Sequence, residues 1–199
     1  MTAAAGGGEE QWSANARAAA RNAIALAKAA EPAVTPEVRD IVEAHGGTLT
    51  RLDTRFKSEE SLTDKILRKR KPSDDAESVV ETIEDVLRYT AVLPDEDHWA
   101  AGTLICEALT NAGYRHILQC LGWQTVGYKG RNERFESPNG YRFELQIHTA
   151  VSLHKCKVTH PLYRELRRPD TPHERKWELR QLRDHEFAQV PIPPGTPVL

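Results

Sequence analysis

The sequence predicts an α+β fold in which a mixed β-sheet is covered by helices. Two observations carry this prediction. Segments with strand-like alternation occur between segments with helical spacing from residue 48 to residue 187. The best-defined strand follows the turn dipeptide Asn139-Gly140, where apolar residues from Tyr141 to Ile147 alternate with polar ones. One face of this strand is therefore expected in the core, and the other is expected to be polar.

The elements before the first strand are predicted to be helical, apart from a short leader. Residues 1–9 are mostly small and Gly-rich, and we expect them to be disordered. Residues 10–47 are predicted to form helices that pack on the core. The first is alanine-rich and ends at Pro32, and the second is shorter and begins with Thr35 as its cap.

Beyond residue 47, predicted strands and helices alternate. Ser58 is suited to cap a helix of residues 59–71, which Pro72 ends, and Ser73 opens another short helix. The other predicted elements are strands at 48–56, 83–93, 114–121 and 141–148, and helices at 97–111, 150–159, 162–168 and 172–187. The chain is thereby divided into a core of residues 48–168, a C-terminal helical segment of 169–190 and an extended tail of 191–199.

Length and composition favour a soluble globular protein. Of the 199 residues, 39% are hydrophobic and 28% are charged, which is too polar for a membrane protein and too apolar for a wholly disordered chain. The formal net charge of −2 gives the molecule as a whole no strong attraction to nucleic acid or to a membrane. Any attraction to phosphate must therefore be local.

The cysteine pattern favours a reducing compartment. The three cysteines have neither the paired spacing of a zinc ribbon nor the even count of a disulfide framework. The sequence starts without a basic and apolar signal segment, and no stretch approaches the roughly 18 apolar residues of a membrane span. We therefore expect the chain to act in a cytosol, reached directly or by delivery as part of a larger polypeptide.

Charge is distributed in blocks. Residues 51–71 contain eight basic and four acidic residues, whereas residues 72–100 contain nine acidic residues and one basic residue. Such runs are most often solvated helix faces. A cationic block followed by an anionic block also matches a phosphate-binding site beside a metal-binding carboxylate.

One candidate site lies where the predicted strand 48–56 leads into the next helix. Arg55 and Lys57 leave the strand on the same side, and Ser61 and Lys65 share one helical face. The helix start adds free N–H groups, which favour anions. An ordinary surface helix with exposed lysines explains this pattern about equally well.

Two carboxylates form a second candidate group. Asp85 stands among apolar neighbours with Arg88 three residues later, and it can bind Mg²⁺, cap a helix or simply be exposed. Glu144 lies on the polar face of the strand after Asn139-Gly140. If the two meet, they supply the hard oxygen ligands that hold Mg²⁺ on a polyphosphate.

A third candidate is the loop sequence Tyr128-Lys129-Gly130. A tyrosine between glycines has little core to fill, so it is suited to stack on a nucleobase. A role in packing a hairpin is about as consistent with the sequence.

Together these residues resemble the synthetase domain of the RelA/SpoT family, the pyrophosphokinases that make ppGpp-type alarmones. Residues 55–65 reproduce its R-x-K-x-x-x-S-x-x-x-K motif, and residues 144–149 reproduce its E-x-Q-x-R-T strand with His148 in place of the arginine. The likeness is to small, single-domain, toxin-associated members and spans about residues 48–168. It implies a nucleotidyltransferase-like sheet of about five strands, mixed but mostly antiparallel, with helical N- and C-terminal extensions.

The resemblance also implies roles for individual residues. Asp85 and Glu144 would bind Mg²⁺ or Mn²⁺, Glu144 would also act as the base, and Lys65 would assist the transfer. Arg88 departs from the family pattern, because other members have an arginine five residues after the metal-binding aspartate. The implied ATP-binding residues are Arg55, Lys57, Ser61, Lys65 and Arg88, and the implied acceptor-binding residues are Tyr128, Lys129, Gln146 and His148.

The implied reaction moves the β,γ-diphosphate of ATP to the 3′-hydroxyl of a purine nucleotide and releases AMP, as the activity of a growth-inhibiting toxin. Adenine is slightly favoured as the acceptor base, because Gln124-Thr125-Val126 replaces the Lys-x-Asn run that contacts acceptor phosphates in other members. Two alternatives stay open. One is the same transfer to the 3′ end of tRNA, bound by the basic residues 155–183, and the other is a non-catalytic module that binds nucleic acid or protein. An antitoxin or immunity protein is a further candidate partner.

Overall fold

A five-stranded mixed sheet is the centre of the computed structural model, which describes residues 4–120 and 123–197. The strand order is β1-β2-β5-β4-β3, and every neighbouring pair is antiparallel except β2 with β5. The α+β prediction is therefore confirmed. The strands are β1 (Thr48–Thr50), β2 (Arg88–Val92), β3 (Arg115–Cys120), β4 (Arg131–Glu136) and β5 (Arg142–His148).

Six α-helices surround the sheet. Residues Leu52–Thr54 form an additional short 3₁₀-helix after β1. None of the helices in the described part of the chain is both long and apolar enough to cross a membrane. The helices are α1 (Ala4–Ala44), α2 (Glu59–Lys69), α3 (Ala76–Glu81), α4 (His98–Asn111), α5 (Ala150–Leu166) and α6 (His173–Ala188).

The two faces of the sheet have different surroundings. On one face the buried side chains of Tyr89, Phe143 and Leu145 belong to a hydrophobic core that also contains Val38 of α1 and Ile105 of α4. Because neighbouring residues of a strand point to opposite faces, the other face of the same strands has a different set of side chains. This polar face is formed by Arg88 of β2, by Asn132 and Arg134 of β4, and by Glu144, Gln146 and His148 of β5.

The N-terminal helix is longer than the sequence predicts. α1 begins at Ala4, inside the expected leader, and continues through Pro32 and Pro36. A proline inside a helix costs about 3 kcal/mol. Here the apolar stripe continues past both prolines into the buried Val38 and Val42, and this burial offsets the cost. Residues 1–3 lie outside the described part.

Other differences have similar physical causes. α5 continues through Pro161, where two helices are expected. β1 ends at Thr50, because Arg51 adopts a left-handed conformation with φ 59° that turns the chain out of the strand. The predicted strands 83–93 and 114–121 shorten to β2 and β3, and residue 121 lies outside the described ranges.

Strand β4 is absent from the sequence prediction. Its sequence is mostly charged, yet Arg131 and Glu133 are 1% and 0% exposed. They form an ion pair of 2.9 Å, so their charges are matched inside the core. A second, smaller hydrophobic cluster joins Trp123, Phe187 and Val190 and fixes the loop before β4 to α6.

Candidate active site

The motif of residues 55–65, expected to bind the donor ATP and called the donor motif below, begins in a segment that returns to the sheet after the left-handed turn at Arg51. Phe56 forms an isolated antiparallel bridge with Leu87. The Lys57 backbone N–H donates to the Val86 carbonyl at 2.9 Å. These backbone bonds place the Lys57 side chain beside Asp85, as the sequence hypothesis requires.

Asp85 binds two lysines. Its Oδ2 lies 2.9 Å from Lys57 Nζ and its Oδ1 lies 2.7 Å from Lys65 Nζ. Burial raises the pKa of Asp85, but the two ammonium groups lower it by more, to about 2. Burial lowers the pKa of Lys57, and the Asp85 charge opposes that shift. The three groups form a fixed charge cluster with one excess positive charge.

Helix α2 completes the donor side. The Ser58 hydroxyl caps the helix by accepting from the Ser61 backbone N–H at 3.2 Å. Ser61 itself is exposed, and Lys65 follows one turn later. An exposed hydroxyl, a helix N-terminus and two ammonium groups are thus brought together, and this arrangement favours a polyphosphate.

Arg55 is held by a residue that sequence reasoning missed. Its guanidinium lies over the Phe56 ring at 4.6 Å, and its Nε lies 3.0 Å from Glu31 Oε1 on α1. Glu31 also accepts from the Thr35 hydroxyl, which contacts the Tyr89 hydroxyl at 2.7 Å. No local signal identifies Glu31, because the contact depends on how α1 packs.

Glu144 is the second carboxylate of the site. The residue is 8% exposed and stands opposite Arg88 in the parallel pairing of β2 and β5. The Gln146 side-chain amide donates to its Oε1 at 2.6 Å. Burial is the main cause that raises the pKa of Glu144, and the nearby Asp85 charge adds to it. A carboxylate with a raised pKa is suited to accept a proton near neutral pH.

Tyr128 and His148 form a hydrogen-bonded unit beyond Gln146. The Tyr128 hydroxyl donates to Asn132 Oδ1 at 2.8 Å and lies 3.3 Å from His148 Nε2. His148 is 1% exposed, and burial lowers its pKa to about 3, so its imidazole is neutral at pH 7. The Tyr128 ring also meets Phe187 of α6 edge-on, with centroids 5.8 Å apart. Tyr128 therefore has a rigid position.

Gly130 allows this arrangement. A Cβ atom at this position would lie 2.6 Å from His148 Cε1 and 2.8 Å from the Tyr128 hydroxyl. We predict that Gly130→Ala displaces both rings and weakens acceptor binding more than ATP binding, as measured by the KM of each substrate. Gly8→Ala is a control, because a Cβ there meets nothing within 4 Å and the backbone is helical. A larger effect on ATP would contradict the assignment of this loop to the acceptor.

Lys129 does not join the other candidate acceptor residues. Its ammonium group donates to the carbonyls of Gln124 and Thr125 in its own loop, and the residue is 5% exposed. The physical reason is that this loop has carbonyl groups that need donors. Lys129 is therefore placed as a loop-stabilising residue.

A group of cations borders Tyr128 and His148. The charges of Arg51 and Arg88 lower the pKa of both His148 and His160, although burial is the first cause in each case. Over residues 4–120 and 123–197, no carboxylate pairs with Arg51 or Arg88 within 4.0 Å. Sequence reasoning missed Arg51, whose positive φ gives no signal in the amino-acid sequence. These unpaired guanidinium groups are suited to hold phosphate.

The carboxylates fit a divalent cation. Asp85 and Glu144 supply hard oxygen ligands, and each charge disfavours ionisation of the other group. Lys57 and Lys65 pair with Asp85, and the charges of Arg88 and Lys57 also act on Glu144, so a divalent cation between the two carboxylates would take over a role that these cations now fill. Binding of a phosphate in this way would require both lysine side chains to turn from Asp85 towards the phosphate oxygens.

Comparisons with known proteins find relatives by structure only. No protein-family profile and no curated protein matches the chain in sequence. Small alarmone synthetase 1 from Bacillus subtilis matches with a TM-score of 0.54 and 17% identity, over 86% of this chain and 88% of that chain. Small alarmone synthetase 2 from the same organism matches with a TM-score of 0.56 and 18% identity, over 84% and 92%. The chain has the small alarmone synthetase fold.

A third solved structure with this synthetase fold is the type VI effector Tas1 in complex with its immunity protein. It matches with a TM-score of 0.52 and 16% identity, over 84% of this chain and 94% of that chain. The matches cover most of each chain, so the synthetase fold includes the sheet and the elements around it. Of the candidate residues, Glu144, Gln146 and His148 follow one another along the polar face of β5, and Arg88 lies beside Glu144 on β2.

Proposed function

We propose that the protein transfers the β,γ-diphosphate of ATP to the 3′-hydroxyl of a purine nucleotide and releases AMP. The observation that carries the proposal is the cluster of Asp85, Lys57 and Lys65 beside the buried Glu144. It combines cations for a polyphosphate with a carboxylate base. The likeness to small alarmone synthetases, one of which was solved with its product pppGpp, supports this reaction.

The donor side binds ATP through charge and stacking. Arg55, fixed by Glu31, presents a planar guanidinium to the adenine. Lys57, Lys65 and Ser61 hold the β- and γ-phosphates while charge builds on their oxygens. Asp85 and Glu144 would hold Mg²⁺ or Mn²⁺, which neutralises phosphate charge when bound.

The chemical step is a displacement at the β-phosphorus. Glu144 accepts the proton of the acceptor 3′-hydroxyl, and the 3′-oxygen forms a bond to the β-phosphorus. The bond from the β-phosphorus to the oxygen that bridges to the α-phosphate breaks, and AMP leaves with that oxygen. The bond from the Gln146 amide fixes the buried Glu144 carboxylate, which supports this role.

The acceptor side is proposed around Tyr128. Its ring would stack on the base, while Gln146 orients the ribose and Arg51 contacts the acceptor phosphates. Arg88 stays assigned to the ATP side. Adenine remains slightly favoured, because the acceptor-phosphate lysine of the family motif is missing and Lys129 is bonded to its own loop. The effector solved with an immunity protein supports a toxin role and a protein partner of that kind.

The direct test is an assay with labelled ATP, Mg²⁺ or Mn²⁺, and each of AMP, ADP, ATP, GDP, GTP and tRNA as acceptor. We expect AMP release together with a nucleotide that has gained a 3′-diphosphate. Glu144→Gln serves as the inactive control. Absence of AMP release with every acceptor would overturn the proposal in favour of a binding module.

A charge-reversal variant separates a nucleotide acceptor from tRNA. Arg168, just beyond the end of α5, pairs with Asp170, and Arg180 is exposed on α6. We predict that Arg168→Glu with Arg180→Glu leaves transfer to a free nucleotide within about twofold of the parent. The same variant should strongly reduce any transfer to tRNA, since tRNA contacts several cations and binds with a steep salt dependence. Loss of nucleotide transfer in a folded variant would contradict this placement.

A further inference from the structure

The face of the sheet opposite the candidate active site contains a cavity of about 410 Å³ between α4 and β3. Its lining includes Cys106 and Thr110 from α4, His116 from β3 and Arg131 from β4. These residues play no part in the reaction proposed above. The cavity therefore needs a separate explanation.

Three ligand types converge at the wall of this cavity. The Sγ of Cys106, a ring nitrogen of His116 and a carboxylate oxygen of Glu133 lie within 4.8 Å of one another. His116 Nε2 is 2.9 Å from Glu133 Oε2. Glu133 and Cys106 are buried, whereas the His116 side chain is 26% exposed and gives access from outside.

Neighbouring groups orient these side chains. Arg131 Nε donates to Glu133 Oε1 at 2.9 Å, which leaves Oε2 facing His116. Arg131 itself is fixed by bonds to the Trp99 carbonyl and the Thr103 hydroxyl, both 3.2 Å. The His116 ring is stacked on Phe135 with an interplanar angle of 10°. Such support from outer groups is typical of metal-ligating carboxylates and histidines.

We propose that Cys106, His116 and Glu133 bind a Zn²⁺ ion, with water from the cavity as the fourth ligand. A thiolate, an imidazole and a carboxylate form a donor set that suits Zn²⁺ and excludes Mg²⁺. In the metal-free protein a proton lies between His116 Nε2 and Glu133 Oε2. The ion takes the place of this proton, and the neutral His116 ring then has its proton on Nδ1 instead of Nε2. The Cys106 thiol releases its proton to solvent. Arg131 keeps its bond to Oε1.

The charges at the site allow this binding. Arg131 and the ionised Glu133 balance each other in the metal-free protein. The Cys106 thiolate offsets one of the two charges of the ion, so the bound site holds a single net positive charge next to an open cavity. The ion would link α4 to the edge strand β3 and to β4, and so stabilise the packing of α4 on the sheet.

The test uses Co²⁺ as a spectroscopic substitute for Zn²⁺ on the reduced, tag-free full-length protein. We expect one equivalent of Co²⁺ to give a thiolate charge-transfer band, and Zn²⁺ to remove the band and raise the Tm. Cys106→Ser should abolish the band, and His116→Gln should lower the affinity for Co²⁺ at least about 10-fold. Cys156→Ser is the matched control and should leave the band unchanged.

Two outcomes would overturn the zinc site. One is the absence of a charge-transfer band in the parent protein, and the other is a band that persists in Cys106→Ser. If Cys106→Ser does not fold, the test relies on His116→Gln, because His116 is partly exposed and its replacement is expected to fold. Unchanged Co²⁺ affinity in that variant would exclude the site. AMP release is not used in this test, so its result is independent of the proposed reaction.

Discussion

Glu144→Gln is expected to lower the rate of AMP release by about 100-fold or more, with little loss of stability. The amide is nearly the same shape as the carboxylate and can still contact the Gln146 side chain. It cannot accept the proton of a 3′-hydroxyl, and it is a poorer ligand for a divalent cation. General base catalysis alone typically contributes about 10²- to 10⁴-fold. AMP release and the Tm should be measured for both proteins.

The pH dependence gives this prediction a second measurement. Glu144 must be ionised to act as a base, so kcat/KM should fall as the pH drops through its pKa. Burial, followed by the Asp85 charge, raises that pKa above its ordinary value of 4.5. In the parent protein, the fall of kcat/KM on the acidic side of the pH profile should therefore be centred above pH 4.5. Any residual activity of Glu144→Gln should lack this fall.

Glu136→Gln is a matched control for Glu144→Gln. Glu136 lies on the same face of the sheet, but it pairs with Arg115 and Arg142 at 2.7 Å and 3.0 Å. We expect this variant to retain its activity. Near-normal turnover of Glu144→Gln, or an equal loss in Glu136→Gln, would remove Glu144 from the mechanism.

Asp85→Asn is the second substitution with a large expected effect. It removes a proposed metal ligand and leaves Lys57 and Lys65 without their shared carboxylate. We expect a loss of AMP release of about 100-fold or more and a rise in the KM for ATP that exceeds any rise for the acceptor. Kinetics with each substrate varied in turn measure this difference. An effect confined to the acceptor KM would show that the two sides of the site are reversed.

Asp85→Asn should also change stability in a pH-dependent way. The pKa of Asp85 falls from 3.8 to about 2 on folding, which corresponds to about 2 kcal/mol of stability above pH 4. A carboxylate whose pKa is lowered by folding stabilises the fold at any pH above its pKa in the unfolded chain. This contribution is lost as the pH falls towards its pKa in the folded protein. In chemical unfolding, the variant should therefore have a lower free energy of unfolding than the parent at pH 6. This difference should shrink between about pH 4 and pH 2.

Glu84→Gln is the neighbouring control for Asp85→Asn. Glu84 pairs with Arg134 at 2.7 Å and contacts neither lysine of the site. It should retain activity and show no preferential effect on ATP. A constant stability difference for Asp85→Asn across the acid range would contradict the assigned pKa.

The donor half of the site is predictable from the sequence because its geometry is local. Ser61 and Lys65 follow from one capped helix. Lys57 lies well beyond the end of β1, where the Phe56–Leu87 bridge places it beside Asp85, so this part of the prediction is right in position but wrong about the strand. Their close approach in the structure agrees with the sequence hypothesis, while their roles in ATP binding stay predictions. Glu31 and Arg51 escape the prediction because one depends on distant helix packing and the other on a backbone turn.

The errors in the predicted secondary structure concern segments with a locally unfavourable feature, whose free-energy cost is offset by contacts elsewhere in the structure. Prolines end isolated helices, but the burial of Val38 and Val42 carries α1 past them. Charged residues usually mark the surface, but Arg131 and Glu133 neutralise each other inside β4. Local propensity cannot predict either case, because the compensating group lies in another part of the chain.

The parallel pairing of β2 with β5 determines when Glu144 can reach Asp85 during synthesis of the chain. The chain must complete α4, β3 and β4 before β5 can align beside β2 and bring Glu144 towards Asp85. Pairings between such distant segments form late, because the entropy of closing the long loop must first be overcome. A ribosome-bound or prematurely ended chain that lacks β5 contains Lys57, Lys65 and Asp85 but lacks Glu144. The two carboxylates can therefore meet only after the whole segment from β2 to β5 has been synthesised and folded.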